Sequence, residues 1–135
     1  MELTVSYLGG VQFEAEARGH KVYCDQPASN NGFDEGMTPP ELMLASLGTC
    51  AAYYAAEYLN RHKLPAGNLR VRVFAEKANH PARLARFEIV VETPGVEDPP
   101  HLDGVRQAVE KCLIKNTLLH PPEIVVNVGR PVTAV

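Results

Sequence analysis

A helix start followed by a long uncharged run limits most strongly how this chain can fold. Thr38-Pro39-Pro40-Glu41 has the form of a capping box: Thr38 caps, proline stands in the first turn where no N–H donor is needed, and Glu41 reaches back. From Leu42 to Ala56 no charged residue follows. Within that run Ala45, Gly48, Ala52 and Ala56 recur every three or four positions, a stripe over which a sheet or another helix can pack closely. The run is shorter than the roughly 20 residues needed to cross a bilayer. The pattern therefore predicts a buried central helix reaching about Arg61 and ended by Leu64-Pro65-Ala66-Gly67.

The flanks read differently. Leu3 to Tyr7, Val11 to Ala17 and His20 to Asp25 alternate or carry β-branched residues, with Gly9-Gly10 as a turn, and so predict an N-terminal antiparallel meander. Gln26 to Met37, rich in Pro, Ser, Asn, Gly and Asp, predicts an exposed loop leading into the helix. After the helix, Leu69 to Glu76 and Leu84 to Glu92 form a predicted hairpin, with Phe87, Ile89 and Val91 on one side. A second helix is expected to carry Leu102, Val105, Val109 and Cys112 on one face, and Ile124 to Val128 a last strand. The order βββ-α-ββ-α-β excludes a doubly wound parallel sheet and favours an α+β fold with antiparallel sheets and two main helices.

At 135 residues and 45% hydrophobic content, residues 1–135 are expected to form a single domain with its own core. The formal charge of −3 gives no electrostatic reason to expect a nucleic acid or a membrane as partner. The opening Met1-Glu2-Leu3-Thr4-Val5 is not a basic stretch leading into an apolar run, so a cytoplasmic location is expected.

Cys24, Cys50 and Cys112 are too few and too unevenly placed for a disulfide framework, and no CxxC or HxxxH pair suggests a metal; no cofactor is expected. Each cysteine alone reads equally well as a small buried hydrophobe. Cys50 and Cys112, however, stand on two helices that pack on one sheet. A reversible bridge needs their Cα atoms within roughly 7 Å, which spacing alone does not decide. Such a pair suits peroxide chemistry, in which one thiolate becomes sulfenic acid and the other sulfur condenses with it. The attacking cysteine also needs a nearby cation to hold it as thiolate.

Arg18-Gly19-His20, the run from Gly36-Met37-Thr38-Pro39-Pro40-Glu41 through Leu47-Gly48-Thr49-Cys50, and Cys112 near the end of the second helix resemble the OsmC/Ohr family over nearly the whole chain. The resemblance implies an interwoven homodimer with two active sites at its interface and both cysteines in each. It further implies a thiol peroxidase acting in oxidative-stress defence, which reduces organic and especially lipid-like hydroperoxides and is recycled by a dithiol such as a lipoylated protein. Cys50 would attack and Cys112 resolve.

Peroxidase branches of that family also place a glutamate ten residues before the attacking cysteine, paired with an arginine. Here that position is Pro40. Glu41 follows it, but nine residues at about 100° each set it half a turn from the Cys50 face, so it is read as the cap. Arg18 is the candidate guanidinium, with Arg61, Arg83 and Arg86 of a second copy as alternatives. The absence of a glutamate at position 40 supports a different reading: a non-peroxidase OsmC-like protein that binds a small hydrophobic ligand or senses redox state at the dimer interface. Cys24 reads as a strand residue, and Tyr53 and Tyr54, a turn beyond Cys50, as pocket wall or core. The five histidines read as surface or turn residues.

Overall fold

A computed structural model describes residues 1–129. The described residues form two compact units, one of Met1–Leu42 with residues 123–129 and one of Met43–Pro122.

The first unit holds an antiparallel sheet, β1 (Thr4–Gly9), β2 (Gln12–Ala17) and β3 (His20–Cys24), in sequence order. Gly9 and Gly10 both take positive φ and turn the chain between β1 and β2. Arg18 (φ 53°) and Gly19 (φ 83°) form the two-residue connection between the paired Ala17 and His20, the pattern of a type I′ hairpin.

The predicted loop after β3 is not loose, because Asp25 organises it. Its carboxylate is 2% exposed and accepts hydrogen bonds from Gln12 Nε2 (3.0 Å) and from the backbone N–H groups of Gln26 (2.7 Å), Phe33 (3.2 Å) and Glu35 (3.0 Å). The Gln12 bond first, against the opposing effect of burial and with help from the three backbone donors, lowers the Asp25 carboxyl from 3.8 to about 2. A Cβ at Gly32 would lie 1.8 Å from the Gln26 carbonyl oxygen, so the tight loop admits only glycine there.

The second unit contains most of the long helix α1 (Pro39–Arg61), the antiparallel hairpin β4 (Arg70–Ala78) and β5 (Arg83–Glu92), and helices α2 (Pro99–Val109) and α3 (Leu113–Leu119). Its core joins Ala51, Ala55 and Leu59 of α1 to Val96 and to Val105 and Val109 of α2, with Val71, Ile89 and Val91 packed around them. Burying a side chain such as Leu59 contributes about 1.5–3 kcal/mol. The fully buried ridge of α1 is Leu47, Ala51, Ala55 and Leu59, spaced four apart, and the predicted small-residue stripe flanks it. At Gly48 an added Cβ would come within 3.0 Å of Val73 on β4, so the missing side chain permits the close approach of helix to sheet.

The sequence reading needs two corrections within this α+β fold. Ile124 to Val128 forms no strand among the described residues; Ile124, Val125, Val126 and Val128 are strongly exposed, because β-branched residues become a strand only where a neighbouring edge supplies ladder partners. The second helix also stops at Val109 rather than continuing through Cys112. Lys111 and Cys112 close tight bonds to the carbonyls of Ala108 and Val109, and Cys112 then turns extended (φ −55°, ψ 118°) to start α3.

Candidate functional site

Cys50 lies on α1 beside the buried Ala51, which leaves it half-buried at the edge of the core. Cys112 is fully buried and is the N-cap of α3, its sulfur accepting the Lys115 N–H at 3.4 Å. A thiol is an uncommon cap, and it leaves the chain geometry of an ordinary helix start intact. Both cysteines are free.

The two sulfurs are neighbours with opposite tendencies. Burial pushes the Cys50 thiol up, yet hydrogen bonds from the Cys112 thiol and from the backbone N–H groups of Ile114 and Leu113 together bring it below its ordinary value. For Cys112, burial and then its donation to Cys50 push the thiol up. Cys50 is thus the one of the two that ionises more readily, and Cys112 the one that keeps its proton longer. The groups that lower Cys50 are neutral donors rather than a cation, a source that residue spacing does not reveal.

Two cavities of about 460 and 440 Å³ extend along β5 and share Phe87, Ile89 and Lys115. The first is walled by Val91 and by Leu102, Val105 and Val109 of α2, and the second by Leu84, Leu118 and Leu119. Leu47, one helical turn before Cys50, lines the second cavity. Together they make a trough lined mainly by apolar residues, with Arg86, Arg106, Glu110 and Lys115 as its charged ones, the Lys115 side chain pairing with Glu110.

The other singled-out residues are placed as follows. Arg18 sits in the β2–β3 turn of the first unit. The Glu41 carboxylate accepts from the Thr38 N–H (3.1 Å) and hydroxyl (2.8 Å), completing the capping box; these bonds hold it below the usual carboxylate range. Cys24 ends β3, half-buried. Tyr53 is exposed, while Tyr54 lines a small groove of about 190 Å³ between α1 and α2. Two histidines read as isolated are not: the Tyr58 hydroxyl bonds His101 Nδ1 at 3.0 Å, and His62 stacks on the Tyr58 ring at 4.0 Å. The spacing of Tyr58 and His62 by four was the available signal for that stack. Among the described residues no group of three or more His, Cys, Asp or Glu is arranged to hold a metal ion, and no helix is long and apolar enough to cross a membrane.

The OsmC family, described as OsmC-like protein, matches residues 32–127. No curated protein matches the chain. Among solved structures, an OsmC-like protein from Mycoplasma pneumoniae superposes with a TM-score of 0.76 at 15% identity over 89% of this chain and 87% of that one. An organic hydroperoxide resistance protein OsmC from Legionella pneumophila gives 0.61 at 18% identity over 87% and 89%. An organic hydroperoxide resistance protein from Elizabethkingia anophelis gives 0.58 at 20% identity, covering 85% of each chain. At such identities the likeness is one of fold.

Proposed function

The chain belongs to the OsmC-like protein family, and from that premise we propose that it is a thiol-dependent peroxidase for organic, lipid-like hydroperoxides. The observation that carries this reading is the asymmetry of the cysteine pair: a half-buried Cys50 whose thiol is lowered and a fully buried Cys112 whose thiol is raised, each in part by the other.

The chemistry follows from that asymmetry. The Cys50 thiolate attacks the terminal peroxide oxygen, the O–O bond breaks, and the alkoxide leaves with a proton as alcohol, giving Cys50 sulfenic acid. Cys112 then displaces hydroxide, which departs as water once protonated, and the disulfide forms. A dithiol reductant such as a lipoylated protein restores both thiols in two exchanges and closes its own disulfide. The apolar trough beside Leu47 suits a substrate with a long hydrocarbon tail.

On this reading residues 1–135 are one OsmC-like domain that works as a homodimer in the cytoplasm. The exposed Ile124, Val125, Val126 and Val128 offer an apolar strand-forming segment for a second copy. Arg18 is the candidate guanidinium. Arg18→Asn tests it, since asparagine keeps the positive-φ turn while removing the cation; at least a tenfold fall in peroxide turnover with unchanged unfolding is the expected result.

One observation favours the second reading, a ligand-binding or redox-sensing protein without turnover: Glu41 is committed to its cap and Pro40 stands where the peroxidase branches carry a glutamate. Consumption of cumene hydroperoxide with a dithiol, in wild type, Cys50→Ser and Cys112→Ser, separates the two. Turnover lost in Cys50→Ser, with oxidised Cys50 accumulating in Cys112→Ser, supports the peroxidase. Wild-type turnover no faster than free dithiol supports the second reading.

A further inference from the structure

The three cations of the trough are not equivalent. Arg86 is held by Glu76 (3.3 Å) and Glu88 (3.2 Å), and Arg106 by Asp103 (2.7 Å); their side chains are 55% and 68% exposed. Lys115 is 27% exposed, half the value of its partner Glu110 at 54%, and it is the charged residue common to both cavities. A lysine so placed lays its methylene stem along apolar surface and carries its charge at the end. An ammonium has three N–H donors and no acceptor. Among the described residues Glu110 takes one of them, so two remain for a ligand. The pair is also exposed on its acidic side, and such pairs are weak, so a second carboxylate competes readily with Glu110.

The two arms of the trough differ in the same sense. The first carries Thr93, Arg106 and Glu110 beside its apolar wall, whereas Leu47, Leu84, Leu118 and Leu119 dominate the second. A molecule with one anionic end and one hydrocarbon tail matches that division, its head at Lys115 in the first arm and its tail in the second.

We infer that Lys115 is the specificity-determining residue of the trough: its ammonium takes the carboxylate of a straight-chain carboxylic acid, in competition with Glu110, while the chain lies against the leucines of the second arm. The inference rests on the reading above in taking the trough as the place where the reactive molecule lies, and it adds that this molecule is a carboxylate anion rather than a neutral hydroperoxide. A neutral chain of the same length buries the same methylenes but offers the ammonium only a hydroxyl, and hydrogen bonds between charged partners are about twice as strong as neutral ones. The Lys115 N–H is bonded to the Cys112 sulfur at 3.4 Å, which fixes the backbone from which the ammonium reaches its ligand.

The test is an NMR titration of the reduced full chain with octanoate and with 1-octanol, which share a chain length and carry no peroxide, so the outcome does not depend on turnover. Wild type is compared with Lys115→Met, which keeps an unbranched apolar stem, and with Glu110→Gln, which removes the competing carboxylate. The expected result is shifted amides on β5 and α3, octanoate bound about tenfold more weakly by Lys115→Met than by wild type and more tightly by Glu110→Gln, and 1-octanol bound alike by all three. Unchanged octanoate affinity in Lys115→Met overturns the assignment, as do equal losses for octanoate and 1-octanol, which would mean that only the stem packs. If Lys115→Met fails to fold, Glu110→Gln decides: octanoate affinity no higher than that of wild type overturns the assignment. Shifts confined to residues outside the trough, or none with either compound, overturn it as well and leave the peroxidase reading to the cumene hydroperoxide assay. The expected selectivity in a protein without peroxide turnover supports the role of Lys115 and removes the peroxidase reading.

Discussion

Cys112 is sealed from solvent and lowers the thiol of the half-buried Cys50 while its own is raised, so one residue of the pair is tuned by the other. The direction of tuning gives a first prediction. With its pKa below the ordinary thiol value, Cys50 is alkylated by iodoacetamide at a rate that climbs with pH as thiolate forms, with a midpoint lower than that of a free cysteine. Cys112→Ala removes one donor and moves that midpoint upward. A Cys50 midpoint equal to that of a free thiol in the wild type contradicts the assignment.

Leu113 separates the backbone contribution from the side chains. It is the first helical residue of α3, where proline is well tolerated, and the extended Cys112 before it suits a following proline. Leu113→Pro therefore keeps α3 while deleting one N–H that serves Cys50, and the alkylation midpoint rises. Leu113→Ala retains the N–H and leaves the midpoint in place, since the side chain points largely to solvent.

Much of this was readable from the chain. The Thr38–Glu41 box and the uncharged run after it placed α1 within a residue or two, and the alternation of Phe87, Ile89 and Val91 placed one wall of the trough. What was not readable depends on groups without a sequence signature. The donors that lower Cys50 are backbone N–H groups, which every residue but proline carries. The break that turns Cys112 into a cap occurs inside an unbroken helical pattern, with neither glycine nor proline to mark it. Ile124 to Val128 looked like a strand because propensity records what a residue prefers when paired, and among the described residues it pairs with no strand.

Asp25 makes the acid limit of the first unit predictable. Its carboxyl is near 3.8 when unfolded and about 2 when folded, so its stabilising effect is complete above 3.8 and is lost as pH falls through the folded value. Urea unfolding of the wild type therefore shifts to lower urea as the buffer goes from about pH 5 toward pH 2. Asp25→Asn, which cannot ionise and turns an acceptor toward backbone donors into an amide, is less stable at neutral pH and shows a flatter dependence over that window.

Gly104 provides the strongest packing test in the second unit. A Cβ there would lie 2.1 Å from the Tyr58 hydroxyl and 2.3 Å from the ring carbon bearing it. That ring has little freedom to retreat, because its hydroxyl is bonded to His101 and its face is stacked on His62. Gly104→Ala should consequently cost about 1–3 kcal/mol despite alanine being the better helix former. In a double-mutant cycle with Tyr58→Leu, which removes the clashing atoms, the alanine should lose most of its penalty, giving a favourable coupling energy. Urea midpoints for the four proteins decide it: additive losses would mean that α1 and α2 do not meet through Tyr58 and Gly104.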